Sequence, residues 1–243
     1  MFDYDSFTNA VIKANKELYE YISTQLSPFD LEESKTIGYG GDKTLNIDII
    51  AEDIFIKHLS LFGDIFSEEI GLISSNSNIR IVIDPLDGSH NFLSQLPYYG
   101  SSVALQIDGI TTAGYVANLA NGTILYRDNK TIKQLSLLDD SEINIIEIRN
   151  PQVGVFERAY SYPKICAKLN EKRIKFRSPG AAALSLSYAN NFNFVIFAGK
   201  VREFDVAAAL HICGDLFIYQ EGEFLIITKS EANLVLIKEI IKE

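Results

Sequence analysis

The 243-residue chain is 47% apolar and 22% charged, with 15 Gly, 6 Pro, two Cys and no Trp, a composition that excludes disordered, collagenous and coiled-coil chains. At about 150 residues per domain, the length allows one large domain or two packed lobes around a sizeable core. Twenty-two Lys and Arg against 32 Asp and Glu leave a formal charge of −10. That is the opposite of what a nucleic-acid binder needs, although an acidic chain can still bind phosphates if metal ions supply the positive charge.

The acidic start, Met1 to Asp5, lacks the basic-then-apolar order of a secretory signal. No apolar run approaches the length of a membrane span. The expectation is a soluble, cytoplasmic chain without a membrane partner, in which Cys166 and Cys213 are buried free thiols. From Phe7 to Leu26, apolar residues recur every three or four positions and predict an amphipathic helix. Ser34 to Lys43, with Gly38, Gly40 and Gly41, reads as a flexible loop. A second helix is predicted from Leu45 to Phe62, stopped by Gly63, and a strand from Ile79 to Ile83, ended by Asp84-Pro85.

Tyr98 to Gln106, Thr111 to Leu119 and Thr123 to Arg127 read as antiparallel strands joined by Asp108-Gly109 and Asn121-Gly122 turns. A polar, acidic stretch from Leu137 to Glu142 offers a joint between an N-terminal lobe, 1–138, and a C-terminal lobe, 139–243. Helices are predicted at Ala159 to Leu169, Ala181 to Tyr188 and Phe204 to Cys213, and strands at Arg173 to Phe176 and Phe192 to Phe197. A strand pair and a helix from Glu231 close the chain. The order is that of a layered α/β fold.

The segment Asp84-Pro-Leu-Asp-Gly-Ser89 carries the most chemistry. A strand brings Asp84 to its carboxyl end, and Asp87 follows three residues on. Carboxylates so close repel unless a cation or proton lies between them. Gly88-Ser89-His90-Asn91 then reads as a helix start, whose amides suit an anion. The same residues also fit an acidic surface turn capped by Asp87 or Ser89. Glu68 and Glu69 follow the strand-like Asp64-Ile65-Phe66. Asp48 is either a site acid or the polar face of its helix, and Asp205 is either a ligand or a helix cap. Oxygen ligands without His or Cys suit Mg2+ or Mn2+ rather than Zn2+.

In order and separation, Glu68-Glu69, Asp84 to Phe92 and Phe204-Asp-Val-Ala-Ala208 resemble the three signatures of the inositol monophosphatase family. Its superfamily also holds fructose-1,6-bisphosphatases and lithium-sensitive nucleotide phosphatases. The short chain and the loop from Gly38 to Thr44 look most like the archaeal dual-activity group. The resemblance implies a layered αβαβα sandwich, usually a homodimer, with most metal ligands in the first lobe. It implies two or three Mg2+ ions, with Mn2+ as a substitute. Glu68, Asp84 and the Leu86 carbonyl would hold one; Asp84, Asp87 and Asp205 a second; a third would depend on Glu68 and the loop. Two such cations, about 3.5–4 Å apart, hold the attacking and leaving oxygens of a phosphoryl displacement. Asp48, Glu68 and Ser89 would be catalytic, Ser89 and Asp48 orienting the water, while the amides of Gly88 and Ser89 grip the phosphate. His58, His90 and His211 are read as structural.

Four departures bear on specificity. Phe204 stands where the family usually has Trp, and Ser89 where it has Thr. Ala198 replaces a Glu that bonds inositol hydroxyls, which speaks against strict inositol specificity. Asp215-Leu-Phe-Ile218 replaces the usual Glu-Ala-Gly-Gly turn. By resemblance, Gly180, Ala181 and Ala182 contact the sugar. Arg177, Lys200 and Arg202 offer guanidinium and ammonium groups for a second phosphate, or are surface cations offsetting the acidic chain. The expected function is a Mg2+-dependent, lithium-sensitive sugar phosphatase, fructose-1,6-bisphosphatase with inositol-1-monophosphatase activity, acting on a small phosphorylated sugar or polyol. An adenosine 3',5'-bisphosphate nucleotidase of the same fold, a non-catalytic phospho-ligand-binding relative and a structural Ca2+ protein are the alternatives.

Overall fold

Alternation of apolar side chains along the strands sets the architecture. In the computed structural model of the protein, which describes residues 2–41, 43–74 and 77–242, Ile81 and Ile83 enter one core and Val82 another. The same split separates Val103 and Leu105 from Ala104. Both follow from the two-residue period of a strand buried on both faces.

Chain order begins with helix α1 (Tyr4–Thr24), the hairpin strands β1 (Glu33–Ile37) and β2 (Lys43–Leu45), and helix α2 (Asn46–Leu59). Strands β3 (Asp64–Ser67), β4 (Gly71–Ile73) and β5 (Ile79–Asp87) follow, then the short α3 (Ser89–Leu93). Next come β6 (Gly100–Ile107), β7 (Ile110–Asn118), β8 (Thr123–Arg127), β9 (Ile132–Ser136) and β10 (Glu142–Ile143). The remainder comprises β11 (Gly154–Glu157), α4 (Pro163–Glu171), β12 (Phe176–Arg177), α5 (Ala182–Ser187), β13 (Val195–Ala198) and α6 (Glu203–Ile212). A hairpin, β14 (Phe217–Glu221) and β15 (Phe224–Thr228), and helix α7 (Glu231–Lys242) end the chain.

Strands β3 to β10 form an eight-stranded sheet in the order β10-β9-β8-β7-β6-β5-β3-β4, and β11 to β15 a five-stranded sheet in the order β12-β11-β13-β15-β14. On one face of the larger sheet, Phe7 and Leu18 of α1 and Ile47 and Phe55 of α2 pack on Ile81 and Val103. Its other face meets α5 and α6, whose Leu184, Leu186, Val206 and Ala208 lie against Val82 and Val116 on one side and Val195 and Ile227 of the smaller sheet on the other. Helices α4 and α7 cover the far side through Ile165, Leu169, Ile237 and Ile240. The layers therefore run α, β, α, β, α. Each large apolar side chain so buried contributes about 1.5–3 kcal/mol. The middle layer is tight: a Cβ on Gly114 of β7 would collide with the Ala208 carbonyl of α6.

Several expectations are corrected. The segment 34–43 is not a loop throughout, because the backbone of Glu33 and Ile37 pairs with Leu45 and Lys43 and the glycines occupy the turn. Strand β5 does not end at Asp84-Pro85 but continues to Asp87. Its pairing with β6 shifts between Asp84 and Asp87, and such a bulge tolerates a residue with no N–H to donate. The helix before Gly63 already stops at Leu59. Pro163 starts α4 after a separate 3-10 turn at Ala159–Ser161, where one helix was expected. Residues 137–141, where the joint between the lobes is expected, form the connection between the paired strands β9 and β10. Both cysteines are free as expected, but Cys166 is only half-buried. No described helix is long and apolar enough to cross a membrane.

Candidate metal centre and active site

Strand β3 ends opposite Ile83 of the parallel β5, and the Glu68 amide, just past β3, donates to the Ile83 carbonyl at 3.1 Å. That bond sets Glu68 beside Asp84. Helix α6 brings Asp205 from the middle layer. Its first residue, Glu203, is tied to the larger sheet by Arg80 at 2.8 Å and by Gln106 at 2.7 Å. Oxygens of Glu68, Asp84 and Asp205 consequently lie within 4.8 Å of one another. Asp84 is 3% and Asp205 2% exposed. Asp84 accepts the Leu86 amide at 3.1 Å. Asp87 takes the amides of Ala182 at 2.9 Å and Leu184 at 3.2 Å, so it caps α5 from the opposite sheet.

Burial, and then mutual repulsion, push Glu68, Asp84 and Asp87 up. Glu68 is raised to about 8 by burial, with Arg202 opposing and Asp205, Glu69 and Asp87 adding to the rise. Asp87 is raised to about 7 by burial and the Asp205 charge. Asp84 lies well above its ordinary range through burial and the neighbouring Glu68, Asp87 and Asp205. Against them stands Arg202, whose Nε and Nη2 reach the two oxygens of Asp205 at 2.9 and 3.0 Å and whose Nη1 lies 2.5 Å from Glu68. One guanidinium cannot neutralise four clustered carboxylates. An all-oxygen set with surplus negative charge fits a hard divalent cation.

A second group of acids lies beside the first. Asp48, in the first turn of α2, is 5% exposed and accepts the Leu45 amide at 2.7 Å. Burial raises it to about 7, and Glu69 and Glu52 add to the rise. It is therefore both a cap and a buried acid, not part of a solvated helix face. Glu69 accepts the Thr44 hydroxyl at 2.6 Å, which ties β2 to this corner. Sequence reasoning missed Glu52, one turn beyond Asp48. It is 4% exposed, its Oε1 has no partner among the described residues, and burial raises it to about 7. The signal was present as two acids four apart on an apolar helix.

Gly88 turns the chain in the left-handed region, φ 86°, just before the half-buried Ser89. Only glycine suits that conformation cheaply, and a Cβ there would also come within 3.0 Å of the Ala181 Cβ and 3.3 Å of the Gly180 carbonyl. The expected phosphate turn and the expected sugar turn are thus brought into contact. Glu157, at the end of β11, holds the latter from behind: it accepts the Gly180 amide at 2.9 Å and the Ser185 hydroxyl. The sequence gave no warning of Glu157, because β11 is four residues long and its partners come 23 and 28 positions later.

The three expected substrate cations do not gather. Arg177 is exposed, its Nη1 donating to the Phe176 carbonyl, Lys200 is exposed, and Arg202 lies among the acids. Ala198 is fully buried at the end of β13, and Phe204, 5% exposed, packs against Phe66 with ring centres 5.6 Å apart. His58 pairs with Glu17 at 2.7 Å, His90 is exposed, and His211 lies half-buried on α6.

A sequence profile described as the inositol monophosphatase family matches residues 3–216. The chain belongs to this family. It is a family of phosphoric monoester hydrolases, and the chain has its fold. A relative from Methanocaldococcus jannaschii, named fructose-1,6-bisphosphatase/inositol-1-monophosphatase, is 29% identical over 231 residues, 86% of each chain. Another, from Escherichia coli K12 and named Nus factor SuhB, is 27% identical over 233 residues, 88% of this chain and 82% of the relative. A Pyrococcus horikoshii structure described as similar to inositol-1 monophosphatase superimposes with a TM-score of 0.78 at 23% identity, covering 96% and 97% of the two chains. A Thermotoga maritima inositol monophosphatase structure gives 0.75 at 22%, covering 97% and 98%. The family member from M. jannaschii is of the archaeal dual-activity kind that the motifs resemble.

Proposed function

We propose that this family member is a Mg2+-dependent phosphatase that hydrolyses the phosphate monoester of a small sugar or polyol, with fructose 1,6-bisphosphate and inositol 1-phosphate as its substrates. The convergence of buried oxygens from Glu68, Asp84 and Asp205 carries the proposal. Such a donor set suits Mg2+ or Mn2+. Glu68, Asp84, Asp87, Asp205 and the Leu86 carbonyl would hold the ions. When bound, they supply an acidified water and neutralise charge on the leaving oxygen.

The chain's own residues do the rest. Asp48 keeps a carboxyl raised to about 7 by its burial, which suits it to take a proton from the attacking water near neutral pH. Gly88 and Ser89 offer backbone amides and a hydroxyl to the phosphate. The turn at Gly180 to Ala182, fixed by Glu157 and Asp87, presents backbone to the sugar. Arg177 and Lys200 remain as partners for a second phosphate. The M. jannaschii relative's name supports both substrates. A complete carboxylate set favours catalysis over ligand binding alone. We expect a cytoplasmic, lithium-sensitive homodimer.

Phosphate release with saturating Mg2+ tests the substrate reading. Fructose 1,6-bisphosphate and inositol 1-phosphate should both be cleaved with higher kcat/KM than adenosine 3',5'-bisphosphate. Preference for the adenosine compound would overturn it.

A further inference from the structure

The acidic centre already contains a cation of its own. Arg202 sits at the start of α6, and its planar guanidinium forks onto both oxygens of Asp205 while its third nitrogen meets Glu68. A fork of this kind matches a carboxylate in direction as well as charge. The pairs are shielded: the side chains of Arg202, Glu68 and Asp205 are 19%, 14% and 3% exposed. Two further groups close over them. The Phe204 ring centre lies 5.3 Å from the guanidinium carbon. Gly40, in the turn between β1 and β2, lies so near that a Cβ would come within 2.7 Å of Glu68 Oε1 and 3.0 Å of Arg202 Nη1.

This arrangement does not fit an arginine kept for a distal phosphate, since its Nε, Nη1 and Nη2 all already face carboxylates. Nor does it fit a surface cation. Two of the three acids that converge spend one or both oxygens on Arg202. A divalent ion drawn to the same oxygens meets a fixed positive charge there and has to share or displace it.

We propose that Arg202 is a built-in counter-ion of the acidic centre, standing in the place of one cation and yielding Glu68 and Asp205 when a divalent ion enters. This rests on the metal-dependent reading above. It makes Arg202 a positioning residue that sets both the stability of the metal-free site and its affinity for metal.

Mn2+ binding to the full chain, measured by titration calorimetry without substrate, separates the possibilities. Arg202→Gln keeps most of the length and loses the charge. It should bind Mn2+ at least about tenfold more tightly than the unaltered protein, because a unit charge a few ångströms away outweighs that much even under strong screening. Its EDTA-treated form should melt below the unaltered protein, and Mn2+ should close the gap. Arg202→Lys keeps the charge without the fork and should bind Mn2+ nearly as the unaltered chain does. A Gln variant that folds only with Mn2+ present supports the same role. Unchanged or weaker Mn2+ binding by a folded Gln variant overturns it. If the unaltered protein still releases phosphate with Mg2+ in that case, the functional reading stands and only the counter-ion role fails. Absence of Mn2+ binding in all three proteins overturns both.

Discussion

Asp87 has two tasks, standing among the acids and accepting the first amides of α5. Asp87→Asn should therefore abolish phosphate release and also weaken the fold. An Asn nitrogen facing an amide N–H costs about 1–3 kcal/mol. Activity and a urea titration on one preparation check both effects; full turnover would remove Asp87 from the chemistry. Asp84, Asp87 and Asp205 were legible in the sequence because each lies in a short motif with its own spacing. Glu52 was legible only as the second of two acids four apart on an apolar helix, and Glu157 was not, since a lone acid beside an apolar run looks the same whether it faces solvent or a buried amide. Arg202 was visible as a cation near Asp205. Its pairing with Glu68 was hidden, because that contact joins the end of β3 to the start of α6, which meet only in the folded chain.

At the scale of elements, α6 positions Asp205, and its seat on β7 depends on Gly114. Gly114→Ala would drive a methyl group into the Ala208 carbonyl. Such overpacking typically costs about 1–3 kcal/mol. Moving α6 should also lower kcat, since Asp205 shifts against Glu68 and Asp84. A denaturant titration with steady-state kinetics would show both, and a variant equal to the parent in each would contradict the packing account. The long helices and the β6-β7-β8 meander were legible from periodicity and turn residues. Strands of two to four residues, such as β4, β10 and β11, hold too few positions to show a period. Their identity comes from neighbours in the sheet. The hairpin at 33–45 was masked by its glycines, which mark the turn but hide the strands on either side.

For the whole molecule, the acids couple stability to pH. Asp48, Glu52 and Asp87 are raised to about 7 and Glu68 to about 8, chiefly by burial. Their folded values lie above the unfolded ones, so the folded chain binds more protons. That stability is fully present below the unfolded values and is lost as pH rises through the folded ones. In EDTA, the melting temperature should fall as pH rises from about 4, the unfolded values, to about 8, the highest folded one. Mg2+ should reverse the fall, because ionised carboxylates are then matched by a cation. A melting temperature in EDTA that stays flat or rises over this range would contradict the buried-acid account. The five layers explain why these acids tolerate burial at all. Apolar cores on both sides hold the strand ends and α6 in place, while the charge is left for a cation to balance.

In the proposed function the carboxylate centre works through a divalent ion. Phosphate release from fructose 1,6-bisphosphate by EDTA-treated protein, followed before and after Mg2+ is restored, tests it most directly. No phosphate should be released before Mg2+ is restored, and release should recover fully afterwards. Release that persists in EDTA, or none from folded protein in excess Mg2+, would contradict it.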